Sequence, residues 1–522
     1  MARAATAEQI DHRVIDDRAA SVGHLFRERV AASGATEAFR YPEGGGWAAL
    51  TWQQTADRAY ALAAGLIDLG VAPEERVALA SGTRLEWVLA DLAVMCAGAA
   101  TTTIYPTSLA GDVAYILADS GSRIVIAENA DQVAKLEEHR ADLSEVAKVV
   151  VIDPEGLDEG GSDWVMTLAE LEERGKALLA TSPKAVDERI DGLTPDHLAT
   201  IIYTSGTTGR PKGVRLPHSA WTYEGAAVDA IQILTQDDLQ YLWLPLAHVF
   251  GKVLLVLPLQ IGFPTVVDGR VDKIVENLAV VKPTFMGAAP RIFEKAYGRI
   301  TTTIAQEGGV KAKLFGWASG VGARVADLRR DGRQPGRALT AQHALADKLV
   351  LHKVRERFGG RIRFFISGSA ALNEDIARWF DSVGLLILEG YGLTETSAAS
   401  STVRCRVATS SAASAGRCRA PRCGSPTTGR SCSGARGSPR ATTDWRRRPG
   451  SPWTTRVGSA PVTSGNRTPT ASCGSPTARR TCSRPPAASM SLRRRSSRSS
   501  RASAPTPASW SSRATGATSS RR

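Results

Sequence analysis

The chain has 522 residues and a formal net charge of +13, long enough for more than one domain around a large buried core. That charge is unevenly spread: from Arg404 onward there are 24 Arg, one acid (Asp444) and no Lys or Glu, which leaves Met1–Val403 at −10, the balance of an ordinary acidic soluble domain. No charged-then-apolar leader opens the sequence and no clean run of about 18 apolar residues occurs in its most apolar stretch, so a cytoplasmic protein is expected.

Residues 1–20 read as an N-terminal extension and the globular pattern begins at 21. The first periodic segment, Thr55–Leu69, sets Ala59, Leu62, Ala63 and Leu66 on one stripe, as a helix packed on a core requires. Val77–Ala80 follows as a short strand and Leu85–Ala97 as a second helix, whose Cys96 (VMCAG) reads as a small core residue. Further strands are predicted at Ile124–Ala127, Val149–Ile152, Ile201–Tyr203, Phe364–Ile366 and Leu385–Leu388, each short, aliphatic or β-branched, and bounded by Gly, Ser, Asp or Pro. Tyr241–Val267 is the most apolar stretch, but His248, Lys252, Gln260 and three prolines interrupt it, so it reads as a buried strand followed by a helix. Apolar strands alternating with helices predict an α/β fold with layered, largely parallel sheets. No internal repeat is visible.

The strongest chemical signal is Tyr203–Gly213, YTSGTTGRPKG, after the strand-like Ala199–Ile202. Thr204, Ser205, Thr207 and Thr208 offer hydroxyls, while Gly206 and Gly209 let the backbone approach phosphate oxygens closely. Lys212 adds a positive charge behind a proline that stiffens the turn. A Ser/Gly/Thr linker would share this composition, but it need not follow a buried strand or end in PKG. The GxxxxGK[ST] arrangement of a Walker A loop is absent. This eleven-residue segment resembles the signature phosphate loop of the adenylate-forming superfamily, which includes acyl-CoA synthetases, luciferases and peptide-synthetase adenylation domains.

The resemblance extends along the chain from about Ser21 to Val403 and is nearest to bacterial long-chain fatty-acid–CoA ligases. Tyr241–Lys252, YLWLPLAHVFGK, is similar to the segment whose His flanks the acyl carboxylate, which assigns that place to His248; a lone His on an apolar strand is otherwise a hydrogen-bonded core residue. Pro283–Lys295, PTFMGAAPRIFEK, is similar to a block typical of long-chain synthetases, with Met286–Ala289 lining an acyl tunnel; the plain alternative is a strand-to-helix junction with Arg291 and Glu294 in surface pairs. Phe364–Leu372, FFISGSAAL, resembles the strand and turn beside adenine, with Gly368, Ser369 and Ala370 as its small wall. Glu389–Ser397, EGYGLTETS, follows an apolar strand, and α/β proteins place ligands at the carboxyl ends of strands. Within it Glu389, Gly390 and Gly392 belong to the nucleotide segment. The resemblance implies that Tyr391 stacks on adenine, Thr394 contacts the α-phosphate and Glu395 holds Mg²⁺, with Thr204 a candidate second ligand. A carboxylate attacking a triphosphate needs metal and hydrogen-bond donors to offset phosphate repulsion.

After Val403 the α/β grammar stops. The last 119 residues contain one Leu (Leu492) and no Ile, Phe or Tyr, too little apolar surface to offset chain entropy, so residues 404–522 are expected to be a disordered tail in place of the family's small lid domain. Their six cysteines have no ligand-like pairing or His partners, so neither zinc nor a disulfide framework is supported. An arginine-rich arm for nucleic acid is one reading, but such arms usually mix Lys with Arg, and no nucleic acid is expected. Codon degeneracy supplies another. Thr477–Ser491 (TARRTCSRPPAASMS) can be encoded so that reading one base earlier gives DRKKDLFKTSGGKYV, and Val457–Gly465 (VGSAPVTSG) so that the same shift gives GWFRTGDIG. Both strings resemble lid motifs, in the right order and in one frame, which predicts an out-of-frame translation breaking near residue 400.

The resemblance implies a two-step reaction. A fatty carboxylate attacks the ATP α-phosphate and expels pyrophosphate; the CoA thiol then attacks the acyl-adenylate and expels AMP. ATP, Mg²⁺, CoA and a fatty acid are the implied cofactors and partners, with peripheral membrane contact following from a lipid substrate. With the lid motifs out of frame, the literal chain is expected to be nearly inactive. The competing readings are an acyl-AMP ligase, a CoA ligase for another acid, and a non-catalytic binding protein with a basic nucleic-acid- or membrane-binding tail.

Overall fold

The computed structural model describes residues 12–157, 163–204 and 209–397, together with the backbone of two short strands at 401–404 and 416–417. Two compact units divide the chain, Met1–Trp445 and Arg446–Arg522, and all the described residues belong to the first. The expected tail, its frame and its cysteines therefore lie outside the described side chains.

In chain order the strands are β1 (Glu37–Glu43), β2 (Gly46–Thr51), β3 (Arg76–Ala80), β4 (Ala100–Ile104), β5 (Ser122–Ala127), β6 (Lys148–Val151), β7 (Val165–Thr167), β8 (Leu198–Thr204) and β9 (Lys212–Pro217). The second half adds β10 (Gln240–Leu242), β11 (Thr265–Val267), β12 (Phe285–Ala288), β13 (Phe364–Ser367), β14 (Leu386–Tyr391), β15 (Ser401–Arg404) and β16 (Gly416–Arg417). They form two sheets. One runs β7-β6-β5-β3-β4-β8-β9 and the other β16-β15-β14-β13-β12-β10-β11-β1-β2. The inner pairs are parallel, and antiparallel pairing is confined to the ends: β8 with β9, β1 with β2, β14 with β15 and β15 with β16. The predicted layered α/β fold with largely parallel sheets is what the chain adopts.

Local chemistry explains where the elements start. The helix expected at Thr55–Leu69 spans Trp52–Asp68 because Thr51 caps it: the Thr51 hydroxyl accepts from the Gln54 N–H at 3.2 Å and the Gln54 side chain accepts from the Thr51 N–H at 2.9 Å. Its stripe of Ala59, Leu62, Ala63 and Leu66 is buried. The helix crosses the helix Leu168–Thr181 so closely that a Cβ on Gly175 would collide with the Ala61 carbonyl. The apolar stretch Tyr241–Val267 resolves into β10, the buried helix Val249–Ile261 and β11, as its polar interruptions predict. Among the described residues no helix is long and apolar enough to cross a membrane. Between β12 and β13 a run of helices occupies 290–356, chief among them Pro290–Glu307, Gly309–Arg330 and Arg337–Ala346.

Side chains from the two sheets lock together near the end of β10. Thr83, after β3, donates its hydroxyl to the Leu244 carbonyl at 2.7 Å, and Thr103 on β4 donates to the Ala247 carbonyl at 3.0 Å. Deeper in, Lys252 and Asp91 form a fully buried ion pair joining the helix Val249–Ile261 to the helix Leu85–Cys96. Thr101 donates to the second Asp91 oxygen at 2.8 Å, and the rings of Trp87 and Trp221 lie 5.5 and 5.7 Å from the Lys252 ammonium.

Candidate nucleotide and acyl site

The YTSGTTGRPKG segment is the tip of an antiparallel hairpin. β8 runs out to Thr204 and β9 returns from Lys212, with Thr204 opposite Lys212 and Tyr203 opposite Gly213. Ser205, Gly206, Thr207 and Thr208 lie outside the described residues. Gly209 has φ of 153° and a Cβ there would meet nothing within 4 Å, so conformation rather than crowding asks for glycine. Gly213 is the opposite case: a Cβ would sit 2.9 Å from Ile201 and 3.0 Å from the Tyr203 ring.

Both legs of the hairpin are clamped to the helix Ala110–Ser120. The Tyr203 hydroxyl donates to Asp119 at 2.7 Å, the Tyr115 hydroxyl donates to the Pro211 carbonyl at 3.2 Å, and the Arg210 guanidinium lies 5.1 Å from the Tyr115 ring centre. Burial first, and then Asp119, hold the Tyr203 phenol well above its ordinary pKa, so it stays a donor. Tyr115 and Asp119 sit one helical turn apart on a segment without any motif, and only the hairpin's return path reveals them.

The second sheet supplies the other wall. β13 ends at Ser367, opposite Glu389 of β14, so the turn after β13 and the end of β14 lie side by side at the carboxyl edge. Gly368 is buried against Phe250, where a Cβ would sit 3.2 Å from the ring. Ser369 adopts a left-handed φ of 69°, and both it and Ala370 face outward. Glu389 does not point away as a free acid: its Oε1 accepts from the Leu372 N–H at 3.0 Å and ties the turn to β14. After Gly390, Tyr391 is 62% exposed, a ring left bare at the strand's end, and Gly392 is exposed too. Thr394 is buried and Glu395 exposed in the 3₁₀ turn Thr394–Thr396, which packs against β9. The strand that Lys212 opens and the turn that carries Glu395 are thus brought together from different sheets. Neither Lys212 nor Glu395 has an ion-pair partner among the described residues.

His248 is not on a strand, as the sequence suggested, but at the N-cap of the helix Val249–Ile261. Its Nδ1 accepts from the Phe250 N–H at 3.1 Å, which leaves the proton on Nε2. Burial pushes its pKa below the ordinary value, so the ring is a neutral donor at neutral pH. Gly287 on β12 would clash with Leu254 if it carried a Cβ, and its carbonyl accepts from Trp243 Nε1 at 2.9 Å. Met286 and Ala288 are buried beside it. Arg291 and Glu294 are both exposed at the start of the next helix without an ion pair between them. Among the described residues no cluster of three or more His, Cys, Asp or Glu could hold a metal by itself. A lone exposed carboxylate such as Glu395 nonetheless suits Mg²⁺, which keeps waters and takes its remaining ligands from substrate phosphates.

The family model for AMP-binding enzymes matches residues 26–432, across both walls of this site. The chain belongs to the AMP-binding enzyme family. Its curated relatives include the long-chain-fatty-acid–CoA ligase FadD15 of Mycobacterium bovis, 36% identical over 361 residues, covering 68% of this chain and 57% of that one. The long-chain-fatty-acid–CoA ligase ACSBG2 of Rattus norvegicus is 30% identical over 395 residues, 74% of this chain and 58% of that one. The chain therefore spans less than two thirds of these relatives. Among solved structures the fold is similar to the N-terminal domain of FACL13 from Mycobacterium tuberculosis, with a TM-score of 0.54 at 21% identity, covering 74% of this chain and 79% of that one.

Proposed function

We propose that this chain carries the nucleotide- and acid-binding domain of a long-chain fatty-acid–CoA ligase, comprising residues 21–403 after an extension at 1–20. The single observation that carries the reading is the packing of the Thr394–Thr396 turn against β9, the strand that Lys212 opens opposite Thr204. In this reading Lys212, Thr204 and Thr394 donate to the phosphates and Tyr391 covers the base against the Gly368–Ala370 turn. His248 offers its Nε2 proton to the acyl carboxylate. One carboxylate oxygen attacks the α-phosphorus as the bond to pyrophosphate breaks; the CoA sulfur later attacks the acyl carbon as the bond to AMP breaks. Magnesium, held by Glu395 with Thr204 as a second candidate, supplies charge neutralisation at the phosphates when bound.

The relatives' names support a long-chain acid, and a lipid substrate implies peripheral contact with a membrane by a cytoplasmic protein. The lid motifs legible only one base out of frame in 404–522 support a further point: this polypeptide binds nucleotide but is nearly inactive in turnover, and restoring the frame restores turnover.

The test is thermal. Mg-ATP at about a hundred-fold excess over its Kd stabilises a binding protein by about 2.7 kcal/mol, read as a rise in Tm. Lys212→Ala and Glu395→Gln should each remove most of that rise while leaving the ligand-free Tm unchanged. No rise in the unaltered protein would overturn the reading.

A further inference from the structure

The helices between β12 and β13 bear several exposed apolar side chains together with a local excess of positive charge. On the helix Gly309–Arg330, Val310, Lys313, Trp317, Gly320 and Arg324 recur at helical spacing on one exposed face. Val310 is 82% and Trp317 38% exposed. On the neighbouring run from Arg337, Gln342, Leu345 and Leu349 repeat the i, i+3, i+7 spacing, and both leucines are exposed. The two stripes are adjacent, since Arg324 donates to the Gln342 side chain at 3.5 Å and the helices pack on one another.

Charge distinguishes this face from the rest of the domain. Residues 309–357 hold eleven Lys and Arg against four Asp and Glu, a net of +7 within a segment, Met1–Val403, that totals −10. Lys313, Lys348 and Lys353 flank the apolar side chains, and none of the three has an acidic partner among the described residues. An exposed Trp and two exposed Leu on helices that also carry lysines without acidic partners among the described residues match the chemistry of an anionic bilayer surface, where the apolar tips enter the acyl boundary and the ammonium groups stay among the phosphates.

We propose that the face carrying Trp317, Leu345 and Leu349 docks this domain on an anionic phospholipid surface. It rests on the reading that the substrate is a long-chain fatty acid, yet it is tested without nucleotide or acid, so the two can fail separately. The full chain is mixed with vesicles of equimolar phosphatidylglycerol and phosphatidylcholine, the latter brominated in its acyl chains, and tryptophan emission is followed. Bromolipid should quench part of the emission, and Trp317→Phe, which keeps an apolar ring, should abolish that part. Leu345→Ser with Leu349→Ser should abolish it as well, and Lys348→Glu with Lys353→Glu should lower the vesicle partition coefficient by about ten-fold or more. Circular dichroism melting keeps misfolded variants out of the comparison. Absence of vesicle binding overturns the proposal, and so does quenching that is the same in Trp317→Phe as in the unaltered chain, which would assign binding to the arginines beyond 404.

Discussion

At the scale of single residues, two histidines serve the fold by staying neutral. His218 is fully buried, its Nδ1 accepting from the Val22 N–H at 3.3 Å, and burial, with Lys252 adding, pushes it down to about 3. Below the unfolded value of about 6.5 the unfolded chain takes up a proton that the folded chain refuses, so its contribution is present above that pH and lost as pH falls. Stability should decline by up to about 1.4 kcal/mol per pH unit between 6.5 and 3 on its account. His218→Gln, which can still accept from Val22, should flatten that acid limb in a series of melts against pH. His248 separates differently, because it caps a helix in addition to the acid-binding role proposed for it. His248→Asn keeps a good N-cap and should hold the unfolding free energy within about 0.5 kcal/mol, whereas His248→Ala should cost about 1 kcal/mol. Under the proposed role both variants weaken acid binding alike, measured by titrating a fatty acid against the nucleotide complex.

Elements are where sequence reading succeeded and where it stopped. Strand and helix positions were legible because most of the short apolar runs lie inside a sheet covered on both faces, so composition reports burial directly: Ile124–Ala127 and Val149–Val151 are fully buried. The site's motifs were legible because glycine and hydroxyl residues cluster for a backbone reason. The hairpin form of Tyr203–Gly213 was not, since β9 (KGVRLP) is half exposed and carries no alternation that separates it from a turn. Nor was the clamp of Tyr115 and Asp119, because a hydrogen bond between residues 84 positions apart leaves no local trace. His248 was placed on a strand because the apolar run around it hides the boundary between β10 and the following helix, which only its cap bond reveals. The crossing of Trp52–Asp68 and Leu168–Thr181 was equally silent: Gly65 and Gly175 look like helix-weakening residues, yet each is required by backbone contact. Gly175→Ala gains helix propensity but meets the Ala61 carbonyl, and should destabilise the fold by about 3 kcal/mol in urea melts.

For the molecule as a whole, the joint between the two sheets is polar where a core is usually dry. The Lys252–Asp91 pair sits there without exposure, and burial pulls the Lys252 ammonium below its ordinary pKa while Asp91 opposes that shift. Removing one partner strands the other charge, so Asp91→Leu alone should cost about 3–5 kcal/mol. Asp91→Leu with Lys252→Leu should recover most of that loss, a coupling that a double-mutant cycle measures directly. Because Lys252 lies one turn after His248, the single variant should also disturb acid binding more than its stability loss alone accounts for.

The return strand of the hairpin has a consequence for colonies of this protein rather than for one copy. β9 ends its sheet, with no further strand beside it among the described residues, and such open margins recruit neighbouring chains into fibrous stacks. Pro211 and Pro217 bracket it, and Lys212 and Arg215 charge it, the devices by which proteins keep a bare margin unattractive. The lysine for which we propose a phosphate-binding role would therefore also guard solubility, and replacing it together with Arg215 by valine should yield material that precipitates on concentration even though each molecule still folds.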